Sequence, residues 1–322
     1  SRMFFSKYKF VNKIWEITSV TIAAQIATTP FSIFYFHQFP IYFWLSNLFM
    51  TPVSSIVIIG GMIMLLIFFI PYVNNIVAYA VSKMIYIMNL GVSWIESLPY
   101  SIIKGLYIND LQFLILLMIL LAILFYAEFR STKILISIMI MTCAFLSINL
   151  KNIHQQNNQK EVVIYSINNM TAIDFIYGRS HVLLADTTFI SDESAFSFNI
   201  ENFLVSRGVF YNGEILSLED DFNRFFVKKR KYVVTFDEKL IGLSDGSEFC
   251  KEELDYKIPL DFMIVYGRKR HRLSSLLKMY DFDNLIIDGS VPRYMVLKLI
   301  EEANVLGIKS HDIREEGCFL IK

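Results

Sequence analysis

The chain has 322 residues, 54% apolar and 19% charged, and its 30 basic and 30 acidic side chains cancel. From Ile17 to Ser82 there are 66 positions without Asp, Glu, Lys or Arg, whereas residues 151–322 carry 22 basic and 26 acidic side chains. These figures exclude a single soluble globule, and they exclude nucleic-acid binding through bulk positive charge.

The division predicts a membrane domain over 1–150, a linker over 151–160 and a soluble domain over 161–322. The chain opens at Ser1-Arg2-Met3 without a charged-then-apolar signal and cleavage site. It reads as a piece of a longer polytopic protein.

A spanning helix needs about 20 apolar residues. The first candidate is Thr18–Phe36, interrupted by Pro30. The second, Ile41–Ile70, is too long for one straight crossing and holds Pro52 and Gly60-Gly61. It predicts a re-entrant piece over Ile41–Thr51 and a crossing over Pro52–Ile70, since helix breaks are tolerated where the freed backbone faces protein or water. Tyr72–Leu98, Leu111–Ala127 and Ile134–Leu150 complete five crossings. Basic residues favour the cytoplasmic side. Arg2, Lys7, Lys9 and Lys13 precede the first span, and Arg130 and Lys133 follow the fourth. With five crossings both groups fall on that side, so the turn at His37–Pro40, the loop around Lys104 and the soluble domain face outward.

In the third span Asn75, Tyr79, Ser82, Tyr86, Asn89, Ser93 and Glu96 recur at steps of three and four, one stripe of a helix, with Lys83 beside it. Such a stripe is costly against lipid. It has two readings: hydrogen bonding between helices, with Lys83 and Glu96 reaching opposite interfaces, or the lining of a water-filled path. The aromatic residues from Phe34 to Trp44 read as an interfacial belt.

The stretch AAQIATTPFSIFYFHQFPIYFWLSNLFMTP, from Ala23 to Pro52, resembles the competence-domain signature of the ComEC family, the inner-membrane channel for single-stranded DNA in natural transformation. Gln25, Pro30, the Phe36–Phe39 turn, Asn47 and Pro52 stand in family order and spacing. SWIESLP at Ser93–Pro99 is similar to a later family segment. Family members begin with further spans and a soluble insertion resembling an OB-fold, which this sequence lacks. The resemblance implies single-stranded DNA and the lipid bilayer as partners. It also implies uptake machinery, a cytoplasmic helicase or single-strand-binding protein, and a place in the bacterial inner membrane. A homo-oligomer is compatible with it.

In the soluble part, Glu161–Ile167, Ala172–Tyr177 and His181–Ala185 read as strands separated by Asn-Asn and Gly-Arg turns. Phe203–Val205, Tyr232–Phe236, Phe262–Tyr266 and Leu285–Asp288 add four more. Leu273–Tyr280 and Pro292–Leu306 read as helices, the second with Ser290 as N-cap and Gly307 as C-cap. The fold class is therefore a polytopic α-helical membrane domain followed by a soluble α+β or α/β domain.

In many ComEC relatives this position holds a metallo-β-lactamase-like domain, whose two zinc ions need a His-x-His-x-Asp-His cluster and further distant ligands. Here His154, His181, His271 and His311 stand more than ten residues apart, with no His-x-His and no Asp-His. The opening strands and the segment NLIIDGSVPRY to GIKSHDIREEGCFLIK look like the tail of the family's zinc-free branch. The expectation is a degenerate relative with no metal, no cofactor and no enzymatic activity.

Two basic runs, Lys228-Lys229-Arg230-Lys231 and Arg268-Lys269-Arg270-His271-Arg272, follow strand candidates where loops are expected. They read either as contacts to DNA phosphates or as solvated loops. Asp186 reads as a turn residue, and Asp288-Gly289-Ser290 as a strand–turn–cap. Cys250 and Cys318 read as buried free thiols, or as a disulfide if the domain is extracytoplasmic; Cys143 lies in an apolar run. Two further functions stay open: a small-solute transporter with an extracytoplasmic sensing domain, and a hydrolase with an unrecognised metal site.

Overall fold

The computed structural model describes residues 9–209, 213–247 and 256–322. Two compact units divide the chain, Ser1–Ile148 and Asn149–Lys322.

The first unit is helical. Its elements are α1 (Lys9–Phe36), a short strand β1 (Gln38–Pro40), α2 (Phe43–Leu66), α3 (Pro71–Glu96), strand β2 (Ile102–Lys104), α4 (Asp110–Phe129) and α5 (Thr132–Asn157). All five helices are long and apolar enough to cross a membrane. Neither proline ends its helix, so α1 is continuous through Pro30 and α2 through Pro52. Residues 41–51 therefore do not form a separate re-entrant piece.

The packing of α2 on α3 explains this continuity. A Cβ at Gly60 would collide with Val81, and one at Gly91 with the ring of Phe49. The two backbones thus approach closely on both sides of Pro52, before it at Phe49 and after it at Gly60. Small residues allow such contact between membrane helices, and it carries α2 across the one hydrogen bond that proline removes.

β1 and β2 pair antiparallel, with Gln38 opposite Lys104. That ribbon brings the α1–α2 turn and the α3–α4 loop to the same end of the unit, as alternating crossings require. At the next turn Asn109 and Gln112 form a reciprocal capping box that starts α4. The amide-rich stretch after Leu150 is helical as far as Asn157, closing α5.

The second unit contains, in order, β3 (Lys160–Ile164), β4 (Ala172–Tyr177), β5 (Ser180–Ala185), α6 (Thr187–Ile190), α7 (Glu193–Phe196), a π-helical turn (Ser197–Glu201), α8 (Asn202–Arg207) and β6 (Gly213–Ser217). It continues with β7 (Phe222–Asn223), β8 (Val227–Arg230), β9 (Val233–Phe236), β10 (Lys239–Ser244), β11 (Ile258–Pro259), β12 (Phe262–Val265), α9 (Leu273–Met279) and β13 (Tyr280–Asp281). The last elements are β14 (Asn284–Ile287), α10 (Arg293–Leu306), β15 (Lys309–Asp312), α11 (Ile313–Glu316) and β16 (Phe319–Ile321).

Two large sheets form, in the orders β16-β3-β4-β5-β6 and β15-β14-β12-β10-β9-β8-β7. Their inner faces share one core, in which Ile164, Phe175 and Leu184 from the first meet Val234, Ile241, Ile264 and Ile286 from the second. The outer face of the larger sheet packs on α9 and α10 through Met263, Val265, Leu276, Leu285 and Leu299. The outer face of the smaller sheet is covered by Phe189, Ile200 and Leu204. Helices thus flank a pair of stacked sheets. Central strands β12 and β14 are buried on both faces, which is why they read as unbroken apolar runs.

Four expectations for this unit need correction. Phe203–Val205 lies in helix α8, not in a strand; a short apolar run cannot distinguish the two. Leu204 and Val205 are buried, and Gly208 ends the helix at φ 70. Lys228, Lys229 and Arg230 form strand β8, not a loop, with Val227 and Lys229 buried and the alternate residues exposed. Ser290 does not cap α10, whose N-cap position is Pro292. Gly307 does stand at its C-cap in the left-handed conformation. Cys318 is an exposed free thiol rather than a buried one, Cys143 is an exposed thiol on α5, and Cys250 lies outside the described residues.

Candidate functional site

Strands β10, β12, β14 and β15 are mutually parallel, so their carboxyl ends share one edge. In α/β sheets that edge is where ligand sites form. Asp245, Tyr266, Asp288 and Asp312 stand there. From the facing sheet, Thr171 precedes β4 and Asp186 follows β5 at the same edge.

The two sheets are tied together at that point. Thr171 donates from Oγ1 to Asp288 Oδ2 at 2.7 Å. The same carboxylate oxygen accepts from Ser290 Oγ at 2.5 Å and from the Ser290 backbone N–H at 3.0 Å. Ser290 Oγ in turn accepts from the Gly267 N–H at 2.7 Å. Asp288 is buried, and its Oδ1 has no partner. Burial raises the carboxyl pKa, against the hydrogen bonds from Ser290 and Thr171 that oppose the rise.

The other carboxylates of the edge are also engaged. Asp186 accepts from the Phe189 N–H at 2.7 Å and the Thr171 N–H at 3.1 Å, so it caps α6 and pins the start of β4. Asp312 accepts from the Arg314 N–H at 3.0 Å. Lys269 Nζ lies 2.6 Å from Asp245 Oδ2. Burial alone would raise the Asp245 carboxyl, but hydrogen bonds from Lys269 and Ser247 outweigh it and lower its pKa to about 2.

Beside Asp245 opens a cleft of about 450 Å³, lined by Glu219, Asp221, Lys229, Lys231, Tyr232 and Tyr266 among others. Lys229 points its buried ammonium at the Asp220 carbonyl, 3.0 Å away. Burial lowers its pKa, with Asp221 and Asp220 opposing. His271 sits in a neighbouring pocket with neither ring nitrogen hydrogen-bonded. Burial pushes its imidazole below the usual range, and the backbone of Tyr266 offsets this only in part.

The donors of this edge do not fit a zinc pair. No three His, Cys, Asp or Glu side chains converge as metal ligands among the described residues. The histidines are dispersed. His181 is buried with Nδ1 at 2.9 Å from Asp174 Oδ1, His311 binds the Gly317 carbonyl at 3.1 Å, and His154 lies in α5.

The basic runs separate as well. Lys228 and Arg230 are exposed on β8, Lys229 is buried, and Lys231 occupies the β8–β9 turn at φ 51. Arg268, Lys269, Arg270 and Arg272 lie in the loop between β12 and α9, with Arg268, Lys269, Arg270 and Arg272 all facing solvent or its margin.

In the helical unit, α3 carries two rows of note. Asn74, Val77, Val81, Met84, Met88, Gly91 and Ile95 form its packed row. One residue further round, Asn75, Tyr79, Ser82, Tyr86, Asn89, Ser93 and Glu96 are all exposed. Lys83 is held beside that row, with Nζ 5.4 Å from the Tyr79 ring centre and 5.9 Å from that of Tyr86. Gln25 and the half-buried Asn47 lie on α1 and α2, Pro30 is buried, and Pro52 is exposed. The crevice of about 250 Å³ beside Pro30, between α1 and α4, is almost wholly apolar.

Residues 162–322 match the family model of the ComEC C-terminal domain, half of the chain, and residues 3–130 match that of the competence protein family. The chain belongs to the ComEC family. Its membership places this ComEC chain in the membrane and in DNA uptake during competence. Among solved structures it is similar to the metallo-beta-lactamase fold protein YhfI from Bacillus subtilis, at 8% identity and a TM-score of 0.32, over 51% of this chain and 100% of that one. No curated protein matches it.

Sequence reasoning missed the Thr171–Asp288–Ser290 link in this ComEC chain, whose ends are 119 residues apart. The Asp-Gly-Ser motif was the only local signal, and it reads as a turn. The burial of Lys229 was missed for a related reason, since a Lys-Lys-Arg run gives no sign that one member points inward.

Proposed function

We propose that this chain is a component of the inner-membrane channel that passes single-stranded DNA during natural transformation. The observation that carries the reading is the exposed polar row on α3. Seven polar residues and Lys83 along a helix of membrane length require a wet or polar neighbour. Asn75, Ser82, Lys83, Asn89, Ser93 and Glu96 line the path, and the tyrosines between them offer rings to passing bases. Gln25, Pro30, Asn47 and Pro52 shape the helices around it.

The membrane domain covers 1–150, 151–160 leaves the bilayer, and 161–322 is an extracytoplasmic domain, with the N-terminus cytoplasmic. That domain guides the strand without cutting it. Among the described residues its edge carboxylates take part in backbone caps, a lysine pair and the Thr171 link, and no three potential ligands converge on a metal position. Lys228, Arg230, Lys231, Arg268, Arg270 and Arg272 supply exposed positive charge for phosphates. Motive force and protection of the incoming strand come from cytoplasmic helicase or single-strand-binding partners.

The test is water access along α3. In a variant with Cys143, Cys250 and Cys318 replaced by serine, S82C and S93C should react with a water-soluble thiol reagent in membranes. V77C and M84C, in the packed row on the opposite side of the helix, should not. Reaction at a few midplane positions alone, blocked by a small solute and indifferent to DNA, would favour a solute transporter instead.

A further inference from the structure

The second unit has another cavity, at the end of the sandwich opposite the Thr171–Asp288 link. It measures about 300 Å³ and is lined by Tyr177, Phe225, Phe226, Lys228, Thr235 and Asp237. Three turns meet there: β4–β5 after Tyr177, β7–β8 at Phe225-Phe226, and β9–β10 at Asp237. Tyr177 pairs with Lys160 in the sheet register, and Lys160 follows the end of α5 by three residues. The cavity therefore lies at the end where the chain enters the domain from an apolar helix.

Its side chains are arranged for a flat aromatic ligand carrying negative charge. Phe226 stacks on Tyr177 at 5.5 Å and 16°, which gives the cavity a rigid aromatic wall. Phe225, edge-on to Tyr177 at 6.4 Å, is 93% exposed at the hairpin tip. Folding alone gives no reason for that ring to stand in water. Lys228 is exposed at the rim. The single carboxylate of the wall, Asp237, is neutralised by Lys160 at 2.9 Å, whose ammonium also lies 5.2 Å from the Tyr177 ring centre. Arg224, preceding Phe225, is held by Glu214 through two hydrogen bonds of 2.7 and 2.6 Å, which fixes the hairpin tip.

We infer that this cavity is a non-catalytic stacking site for one base of a single-stranded nucleic acid, with Phe225 as the platform and Lys228 on the adjacent phosphate. Aromatic stacking accepts any base, and a lysine on the backbone adds no sequence preference. Both suit a strand handed on in sequence-independent fashion. The inference rests on the DNA-transport reading and adds a specific place in the chain where the strand is held.

The test uses the full chain in detergent micelles with a fluorescein-labelled 15-mer of thymidylate. F225A should weaken binding by about 5- to 150-fold, the range for loss of one stacked base. F225W should restore it. K228A should weaken binding and flatten the salt slope by about one. Oligomers carrying 5-bromodeoxyuridine should photocrosslink to the 225–228 segment. Full affinity in F225A, with crosslinks elsewhere, would overturn the site and leave the DNA reading standing. No binding by the wild-type chain would overturn both. Extra quenching of F225W over wild type by brominated lipid in nanodiscs would assign the ring to the bilayer and overturn the site.

Discussion

Thr171 and Asp288 join the two large sheets of the second unit by one hydrogen bond of 2.7 Å, made at the edge formed by the carboxyl ends of the parallel strands. The link uses one oxygen of a buried carboxylate and leaves the other without a partner. A fully buried acid of this kind is stabilised by its proton.

Asp288 therefore makes stability depend on pH. Burial raises its folded pKa, so the favourable contribution is complete below the unfolded value of about 3.9. It is lost as pH rises through the folded value. Asp288→Asn removes the charge and keeps the shape. Its melting temperature should exceed that of the wild type at pH 8 by a few degrees, on the order of 1 kcal/mol, with the difference vanishing near pH 4. Thermal unfolding at the two pH values checks this. A lower melting temperature for the variant at pH 8 would mean that the carboxylate itself is needed.

His181 and Asp174 form a buried pair on the face of the smaller sheet that α6–α8 cover, and Tyr165 donates to the second Asp174 oxygen at 3.3 Å. That arrangement raises the Tyr165 phenol pKa, chiefly through burial and then through the Asp174 charge. Removing the imidazole leaves a buried Asp174 oxygen without its hydrogen-bond partner, at about 1–3 kcal/mol. His181→Ala should destabilise the domain by that amount in denaturant unfolding. A loss below 1 kcal/mol would show that water reaches Asp174.

Gly91 faces the ring of Phe49 where α2 and α3 touch. Gly91→Leu overpacks that contact, at about 1–3 kcal/mol or more. The folded yield of membrane-inserted protein should fall several-fold, and the paired variant with Phe49→Ala should recover part of it. Equal yields for wild type and Gly91→Leu would separate the two helices.

The sequence makes the helices legible because apolar length is a direct requirement of the bilayer. It does not reveal that α2 continues through Pro52, because that depends on α3 lying against Phe49 and Gly60. Strand β4 is read with its observed ends, Ala172 and Tyr177, since turn residues bound it on both sides. Strand β8 is hidden because Lys229 occupies an inward position that pattern assigns to an apolar residue. The polar row of α3 is visible as spacing alone, but only the packing shows that Val81 and Gly91 face α2 while Ser82 and Ser93 do not. The Thr171–Asp288 link and the Phe225 cavity are formed by residues distant in sequence, and no local pattern carries them.

The most direct test is delivery of labelled double-stranded DNA into the cytoplasm of cells carrying the wild-type chain, no chain, or the Lys83→Ala and Glu96→Ala double variant. The account predicts that cells without the chain accumulate label outside the inner membrane. It predicts that the double variant, inserted at normal levels, delivers at least several-fold less label than wild type. Unchanged import in the absence of the chain would contradict it.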